Sequence, residues 1–347
     1  MLRKILTYLI PLVIGIGLFY FLWINVDSQQ LLNCLRYDVN YWWFVLIGFI
    51  SIWSHVFRAL RWRLQLRAIG VDAPLQALVC SIFGTYAVNL IFPRLGEVWR
   101  CGYIAERQKA SFTQVVGSMV ADRLSDTLTV LVLSLITFFL AQDAFYSFLD
   151  TYPQFKEKLW NMLISPVTWA IVVALICAMV LIFRSNTQNK IVVKLRTMTK
   201  NMWDGFYAIT KMNGKWNFLL YTILIWGCYF IQLYLAKYAF SFTHDLSVVA
   251  MLVLFVLSSI GMGIPTNGGL GAYHVAIIFG LSLYGVGTFD TDSFDPQASA
   301  FAMVEWGLQT VMLIILGIYT AIYVAIDRQR IASGKVKVNT SGSKMRL

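Results

Sequence analysis

The chain is poor in charge. Asp, Glu, Lys and Arg together make up 13% of its 347 residues, while 59% are hydrophobic and the mean hydropathy is +0.67. Ordinary soluble domains carry roughly a quarter charged residues, and a soluble fold of this composition would expose a large apolar surface. Histidine is nearly missing, with three in the chain. The cysteines (Cys34, Cys80, Cys101, Cys177 and Cys228) stand far apart, and no CxxC pair occurs. A conventional Cys/His metal framework or a redox pair is thereby excluded. No nucleophile elbow, P-loop, HExxH or dinucleotide fingerprint is present, so the sequence offers no motif for an enzyme and no cradle for a cofactor.

What the chain has in place of charge is long apolar runs. A helix needs about 20 apolar residues to cross roughly 30 Å of hydrocarbon. Suitable runs are Ile5–Ile24, Tyr41–Leu60, Thr113–Leu140, Val167–Phe183, Asn217–Phe240 and Ser299–Ile326. The first follows Arg3 and Lys4 and has no small-residue cleavage site after it, so it reads as a retained helix. Three shorter runs are Leu75–Phe92, Ser247–Ile264 and Gly271–Gly287. The twelve Trp and seventeen Tyr residues suit the headgroup level of a bilayer.

The net charge is +11. Its basic residues cluster between the apolar runs, as the positive-inside rule demands, and no nucleic-acid-binding motif accompanies them. Clusters fall at the N-terminus, at Arg58, Arg61, Arg63 and Arg67 in the loop expected after the second span, and at Arg94, Arg100, Arg107 and Lys109. Others fall between Arg184 and Lys215 and in the tail from Arg328. Placing these clusters in the cytoplasm puts both termini there. It also makes Leu75–Phe92 enter from the cytoplasm, break at Pro93-Arg94-Leu95-Gly96 and return through Glu97–Glu106. Such a re-entrant hairpin is tolerated where protein or a wet cavity surrounds it. The pair Ser247–Ile264 and Gly271–Gly287 has outward-facing acids at both ends, and is either two short spans or a second hairpin from outside. One hairpin from each side would fit an inverted repeat. The segment Arg184–Lys215, with Ile191, Leu195, Met198 and Met202 at helical spacing among lysines, reads as a surface helix on anionic inner-leaflet lipids.

Charges at bilayer depth are costly and usually face a partner or a wet cavity. Three groups stand out. Arg94, Glu97 and Arg100 follow Pro93, with Gly96 allowing the chain to turn and Glu97 spaced to pair with Arg100. They make either a surface ion pair or a corner in which Arg94 or Arg100 forks a phosphate. Asp122, Arg123 and Asp126 lie inside a long helix, the acids one turn apart. They are either a self-neutralising tie between helices or partners of Arg94 and Arg100 that leave a guanidinium for ligand. Glu305 lies inside the last span. In addition, Asn267, Gly268, Gly269 and Gly271 form a Gly-rich break that is either a plain turn or an anion-binding nest.

Taken together, these motifs resemble the lysylphosphatidylglycerol synthase transmembrane-region family of flippase-like membrane proteins. The resemblance rests on Arg61-Trp62, Gly84, Asn89, Pro93-Arg94-Leu95-Gly96-Glu97 with Arg100, Asp122-Arg123 with Asp126, Ile264-Pro265 and Gly268-Gly269-Leu270-Gly271. Two positions depart from the pattern: Asp122 stands where the family commonly has Glu, and Tyr273-His274 stands where an acid often follows the glycine turn. The resemblance implies a multi-pass protein of the bacterial cytoplasmic membrane that handles phospholipid, without the C-terminal synthase domain and therefore not an enzyme.

The resulting expectation is an all-α, polytopic transmembrane bundle of about six full spans with re-entrant or short hairpins. Residues 1–347 form a single membrane domain, with a basic disordered tail over 328–347. The expected function is translocation of a phospholipid or lipid-linked headgroup, using Arg94, Glu97, Arg100, Asp122, Arg123, Asp126, Asn267, Gly268, Gly269 and Glu305. No metal or cofactor is expected, nor nucleic acid, and self-association is left open. The alternative is a scaffold for a lipid- or glycan-modifying enzyme.

Overall fold

The computed structural model describes residues 13, 16–151, 153–184, 192–193, 214–264, 266–289 and 293–334. The expected surface helix over 184–215 and the tail beyond 334 lie almost wholly outside the described residues. Those described form an all-α bundle. After a helical stretch over 16–24 (α1) come α2 (Ser28–Tyr37), α3 (Trp42–Ala68), α4 (Leu75–Ile91), α5 (Leu95–Gln108) and α6 (Phe112–Leu140). Then follow α7 (Gln142–Thr151), α8 (Pro153–Ile164), α9 (Pro166–Arg184), α10 (Lys215–Ala236), α11 (Val248–Gly263), α12 (Ala272–Ser282) and α13 (Pro296–Ala332).

Among the described residues, four helices are long and apolar enough to cross a membrane: α3, α6, α10 with its 3-10 extension to Ala239, and α13. Their outward faces carry large apolar side chains such as Phe49, Trp53, Leu131, Leu135, Ile315 and Ile318, as lipid contact requires. Of the other two long runs, Val167–Phe183 lies in the 19-residue α9, and Ile5–Ile24 is described only in its second half. Helix α13 starts cleanly because Asp295 accepts hydrogen bonds from the amides of Gln297 and Ala298 and Pro296 needs no donor. It continues to Ala332, past the expected start of the tail at 328.

The second long helix runs further than its apolar run suggested. Helix α3 does not stop at Leu60 but continues to Ala68, so Arg58 and Arg61 are buried helical residues and not members of a cytoplasmic loop. The physical reason is that their charges are answered inside the bundle, as described below, so the helix can carry them inward. Arg63 and Arg67, on the outer face, pair instead with Asp72 in the following turn.

Helices α4 and α5 pack against each other as a hairpin, and so do α11 and α12. At a rise of 1.5 Å per residue, the 17 residues of α4 and the 16 of α11 reach only about 25 Å, short of the hydrocarbon thickness. Pro93 ends the first arm, but the turn itself is made by Arg94, which holds a left-handed backbone with φ 62°. Gly96 serves a different end from the expected turn. A Cβ on it would lie 2.0 Å from the carbonyl oxygen of Thr85, so it lets the two arms touch. In the second hairpin the break is made by Gly268, Gly269 and Gly271, all at positive φ.

Much of the packing is paired. Helix α3 lies along α10. The first hairpin's α4 packs on the last long helix α13, and the second hairpin's α11 packs on α6. Likewise α5 meets α6 and α12 meets α13. Two apolar cores result. One, with Trp62, Leu66, Leu78, Ile82, Ile104 and Val115, sits among α3, α4, α5 and α6. The other, with Leu22, Leu31, Leu254, Ile277, Leu281 and Phe301, joins α1 and α2 to α11, α12 and α13.

Candidate functional site

The charged centre lies beside the first core. Asp122 and Asp126 sit one turn apart on α6 and so face the same way. Opposite them, α3 presents Arg58 and Arg61, three residues apart and likewise on one face. Arg58 Nη1 donates to Asp126 Oδ2 at 2.6 Å, and its Nε donates to the Tyr229 hydroxyl at 3.3 Å. Arg61 bridges both acids. Its Nε donates to Asp122 Oδ1 at 2.9 Å and its Nη2 to Asp126 Oδ1 at 2.7 Å, while Nη1 reaches Thr222 Oγ1 on α10 at 3.3 Å. The side chains of Arg61 and Asp122 are 0% exposed. Ion pairs this deep persist only when each charge meets several hydrogen-bonding partners, and here Arg61 ties three helices together.

Two further arginines approach the same acids without being satisfied by them. Arg100, on α5, lies over the ring of Trp62 at 4.5 Å to the centroid and has Nη2 3.6 Å from Asp122 Oδ2, beyond hydrogen-bond reach. Its side chain is 0% exposed. None of its three nitrogens has a hydrogen-bond partner among the described residues. Arg123, on α6, has Nη1 3.9 Å from Asp126, and its buried Nε and Nη2 also lack partners among the described residues. The Asp122 Oδ2 atom is similarly unbonded. Around this centre stand Tyr86, whose hydroxyl is 3.4 Å from that of Tyr229, and His55, buried against Phe83 and Tyr86 with both ring nitrogens unpartnered. Trp62 is itself held by a 3.0 Å bond from its indole nitrogen to Ser118.

A second polar locus joins the tips of the two hairpins. Asn267 Nδ2 donates to the carbonyls of Ile91 at 2.8 Å and Leu90 at 3.3 Å, which are end-of-helix carbonyls of α4 without an intrahelical partner of their own. Arg94 Nη2 reaches the carbonyl of Gly263 at 3.4 Å, and a Cβ on Gly268 would meet Leu90. Asn89 completes the tip by accepting from the Gly96 amide at 2.8 Å and donating to Glu97 at 3.2 Å. Glu97 therefore faces Asn89 and does not hydrogen-bond Arg100.

The third locus belongs to the second hairpin. The Tyr273 hydroxyl donates to Glu305 through a short bond, and Trp306 donates to the Gly268 carbonyl at 2.7 Å. His274 is buried beside Tyr273 and Trp306 with neither ring nitrogen partnered. No cation is paired with Glu305 among the described residues.

The ten sequence candidates thus fall in three places. Arg100, Asp122, Arg123 and Asp126 meet in the charged centre. Arg94, Glu97, Asn267 and Gly268, with the adjacent Gly269, lie at the tips, where Arg94 is exposed. Glu305 stands apart with Tyr273. Arg58, Arg61, Tyr86 and Tyr229 were not foreseen as members of the centre. Arg58 and Arg61 were read as loop cations, and Arg61 also through the family resemblance, although their three-residue spacing within a continuing helical pattern was available as a signal. Among the described residues no group of three or more His, Cys, Asp or Glu is placed to hold a metal ion.

The fold and site define a multi-helix membrane protein with a buried arginine–carboxylate centre. The chain belongs to the family of the lysylphosphatidylglycerol synthase TM region, whose family model matches residues 8–317. Comparison with curated proteins found no match, and comparison with solved structures found none.

Proposed function

We propose that this protein translocates a lipid with an anionic, phosphate-bearing headgroup across the bacterial cytoplasmic membrane. The observation that carries this reading is Arg100: a permanently charged guanidinium, fully enclosed, with no hydrogen-bond acceptor among the described residues. A buried charge in that condition is destabilising unless something else answers it. Its planar fork matches phosphate geometry. In this reading Asp122 and Asp126 hold Arg58 and Arg61 in place, while Arg100 and Arg123 meet the headgroup. The acyl chains stay in the bilayer along the apolar face of α6.

The two hairpins enter from opposite sides and meet at their tips near the midplane, as two inverted repeats spanning α3–α6 and α10–α13. Support comes from the exchange pattern of the packing, in which α4 on α13 answers α11 on α6, and α5 on α6 answers α12 on α13. Further support comes from the tip contacts of Asn267 and Arg94, and from arms too short to cross alone. Discontinuous helices at a repeat interface are where transporter sites are commonly built. Exposing the centre alternately to each leaflet then needs only rocking of one half against the other. The basic clusters keep both termini in the cytoplasm.

The test is leaflet exchange of labelled lipids in proteoliposomes containing the full chain or its Arg100→Gln variant. Exchange lost in a variant that keeps its thermal stability supports translocation. A folded wild-type protein that exchanges none of a panel of anionic, aminoacylated and polyprenyl-phosphate lipids overturns it in favour of a scaffold.

A further inference from the structure

We infer that the charged centre selects a phosphomonoester, a group carrying two negative charges, over a phosphodiester carrying one. The inference deepens the translocator reading and rests on it for the source of the group, but its argument is charge balance and donor count. Four guanidiniums, Arg58, Arg61, Arg100 and Arg123, converge on two carboxylates, Asp122 and Asp126. The centre therefore holds a surplus of two positive charges. The nearest other acid on α5, Glu97, is engaged by Asn89. The aromatic neighbours Tyr86 and Tyr229 bond to each other and to Arg58, contributing hydroxyls and no formal charge.

The donors tell the same story. Nε, Nη1 and Nη2 of Arg100 and Nε and Nη2 of Arg123 are buried and without partners among the described residues. A diester offers two free oxygens and one charge. A monoester offers three free oxygens and about −1.5 to −2 at neutral pH, its second ionisation lying near 6. A monoester thus matches the surplus and leaves fewer of these nitrogens without an acceptor. Arg58 and Arg61 are already committed to the aspartates, so recognition falls to the two unsatisfied arginines.

The geometry also indicates how the group arrives. Arg100 is enclosed, but the Arg123 side chain is 35% exposed. It lies on α6 between the outward-facing Val120 and Leu128. A partly exposed guanidinium on an apolar helix face meets a headgroup coming sideways from the bilayer more readily than a soluble ion from water.

The experiment measures binding to the full chain in nanodiscs, read by quenching of tryptophan fluorescence and by thermal shift. Trp62 beneath Arg100 is one of twelve tryptophans, so the quenching is compared with that of a Trp62→Phe variant to isolate its share. The probes are phosphatidate and phosphatidylglycerol with identical acyl chains, and inorganic phosphate. Phosphatidate is expected to bind about tenfold or more tightly than phosphatidylglycerol, the effect of one further charge-assisted hydrogen bond. That preference should fade as pH falls below about 6, where the monoester loses its second charge. It should vanish in Arg100→Gln, and Arg123→Gln supplies a second variant should the first not fold. Inorganic phosphate competing as well as phosphatidate would keep the monoester specificity and identify a free ion as its source. Equal binding of the two lipids overturns the inference while leaving translocation standing. Absence of lipid exchange altogether overturns the translocator reading and the lipid source with it.

Discussion

The half of the bundle over 42–140 and the half over 215–332 are built to one plan, a long helix, a short broken hairpin and another long helix. Their interiors differ. In the first, four arginines converge on two aspartates. The second encloses an apolar core and scattered charges: Glu305, bonded by Tyr273, Lys237, which donates to the Leu246 carbonyl, and Asp327, which accepts from Arg107 and Tyr103 of α5. The second half achieves the same arrangement without a cluster of several arginines on paired aspartates, so a cluster of that kind is not required by the architecture. Buried ion pairs are in general no more stabilising than well-packed apolar groups of similar volume. The lesson is that one helical plan holds both scattered buried charges, each with its own partner, and a dense cluster in which two arginines lack hydrogen-bond partners among the described residues.

The sharpest way to break this comparison is Asp122→Ala. It strips the acid that Arg61 bonds through Nε and leaves buried guanidiniums uncompensated, at an expected cost of about 3–5 kcal/mol. Thermal unfolding in detergent should show a large drop, and an unaffected melting temperature would mean the acids do not hold the centre. Arg100→Met should act in the opposite sense. Removing a charge without an acceptor should leave stability unchanged or raised while lipid exchange falls. Loss of both fold and exchange would make Arg100 a structural residue.

In the second half, Tyr273→Phe should cost about 1–3 kcal/mol, because the Glu305 carboxyl keeps its burial and loses its donor. A change in stability below the error of the measurement would show that water serves Glu305 equally well. At the junction of the halves, Asn267→Ala should cost about 1 kcal/mol through loss of the bonds to Leu90 and Ile91. Hydrogen exchange at the α4 C-terminus should rise with it.

The smallest effect lies outside the bilayer. The bond from Arg67, with Arg63 nearby, holds the Asp72 carboxyl below the usual carboxylate range. Its contribution is therefore present above that range and is lost as pH falls through the lowered value. With both Arg67 and Asp72 nearly half exposed, solvent screening keeps the pair well below about 1 kcal/mol. An Asp72→Asn variant should differ from the parent by a fraction of a degree in melting temperature at neutral pH, and less in acid.

Much of the bundle was legible because lipid imposes a simple rule on composition. Apolar runs of sufficient length, such as Thr113–Leu140, became helices nearly residue for residue, and Pro93 and the glycines after Thr266 marked the two breaks. Helix ends set by apolarity alone were less legible. The run ending at Leu60 concealed a helix reaching Ala68, because a charge reads as an exit from the membrane when its partner is unknown. The glycine at 96 was visible as special, yet its use in helix contact and not in the turn depends on Thr85, eleven residues earlier.

By itself, the sequence determined that the chain lives in a membrane, that its helices are long or broken at defined points, and that acids and arginines lie at bilayer depth. These follow from local composition, period and the cost of burying backbone. Only the tertiary structure decided which charges meet. Arg58 and Arg61 reach Asp122 and Asp126 across more than sixty residues of chain, and Arg100 is left with no hydrogen-bond partner among the described residues. Pairing of that kind depends on which helix faces pack together, a property of the whole bundle and of no segment within it.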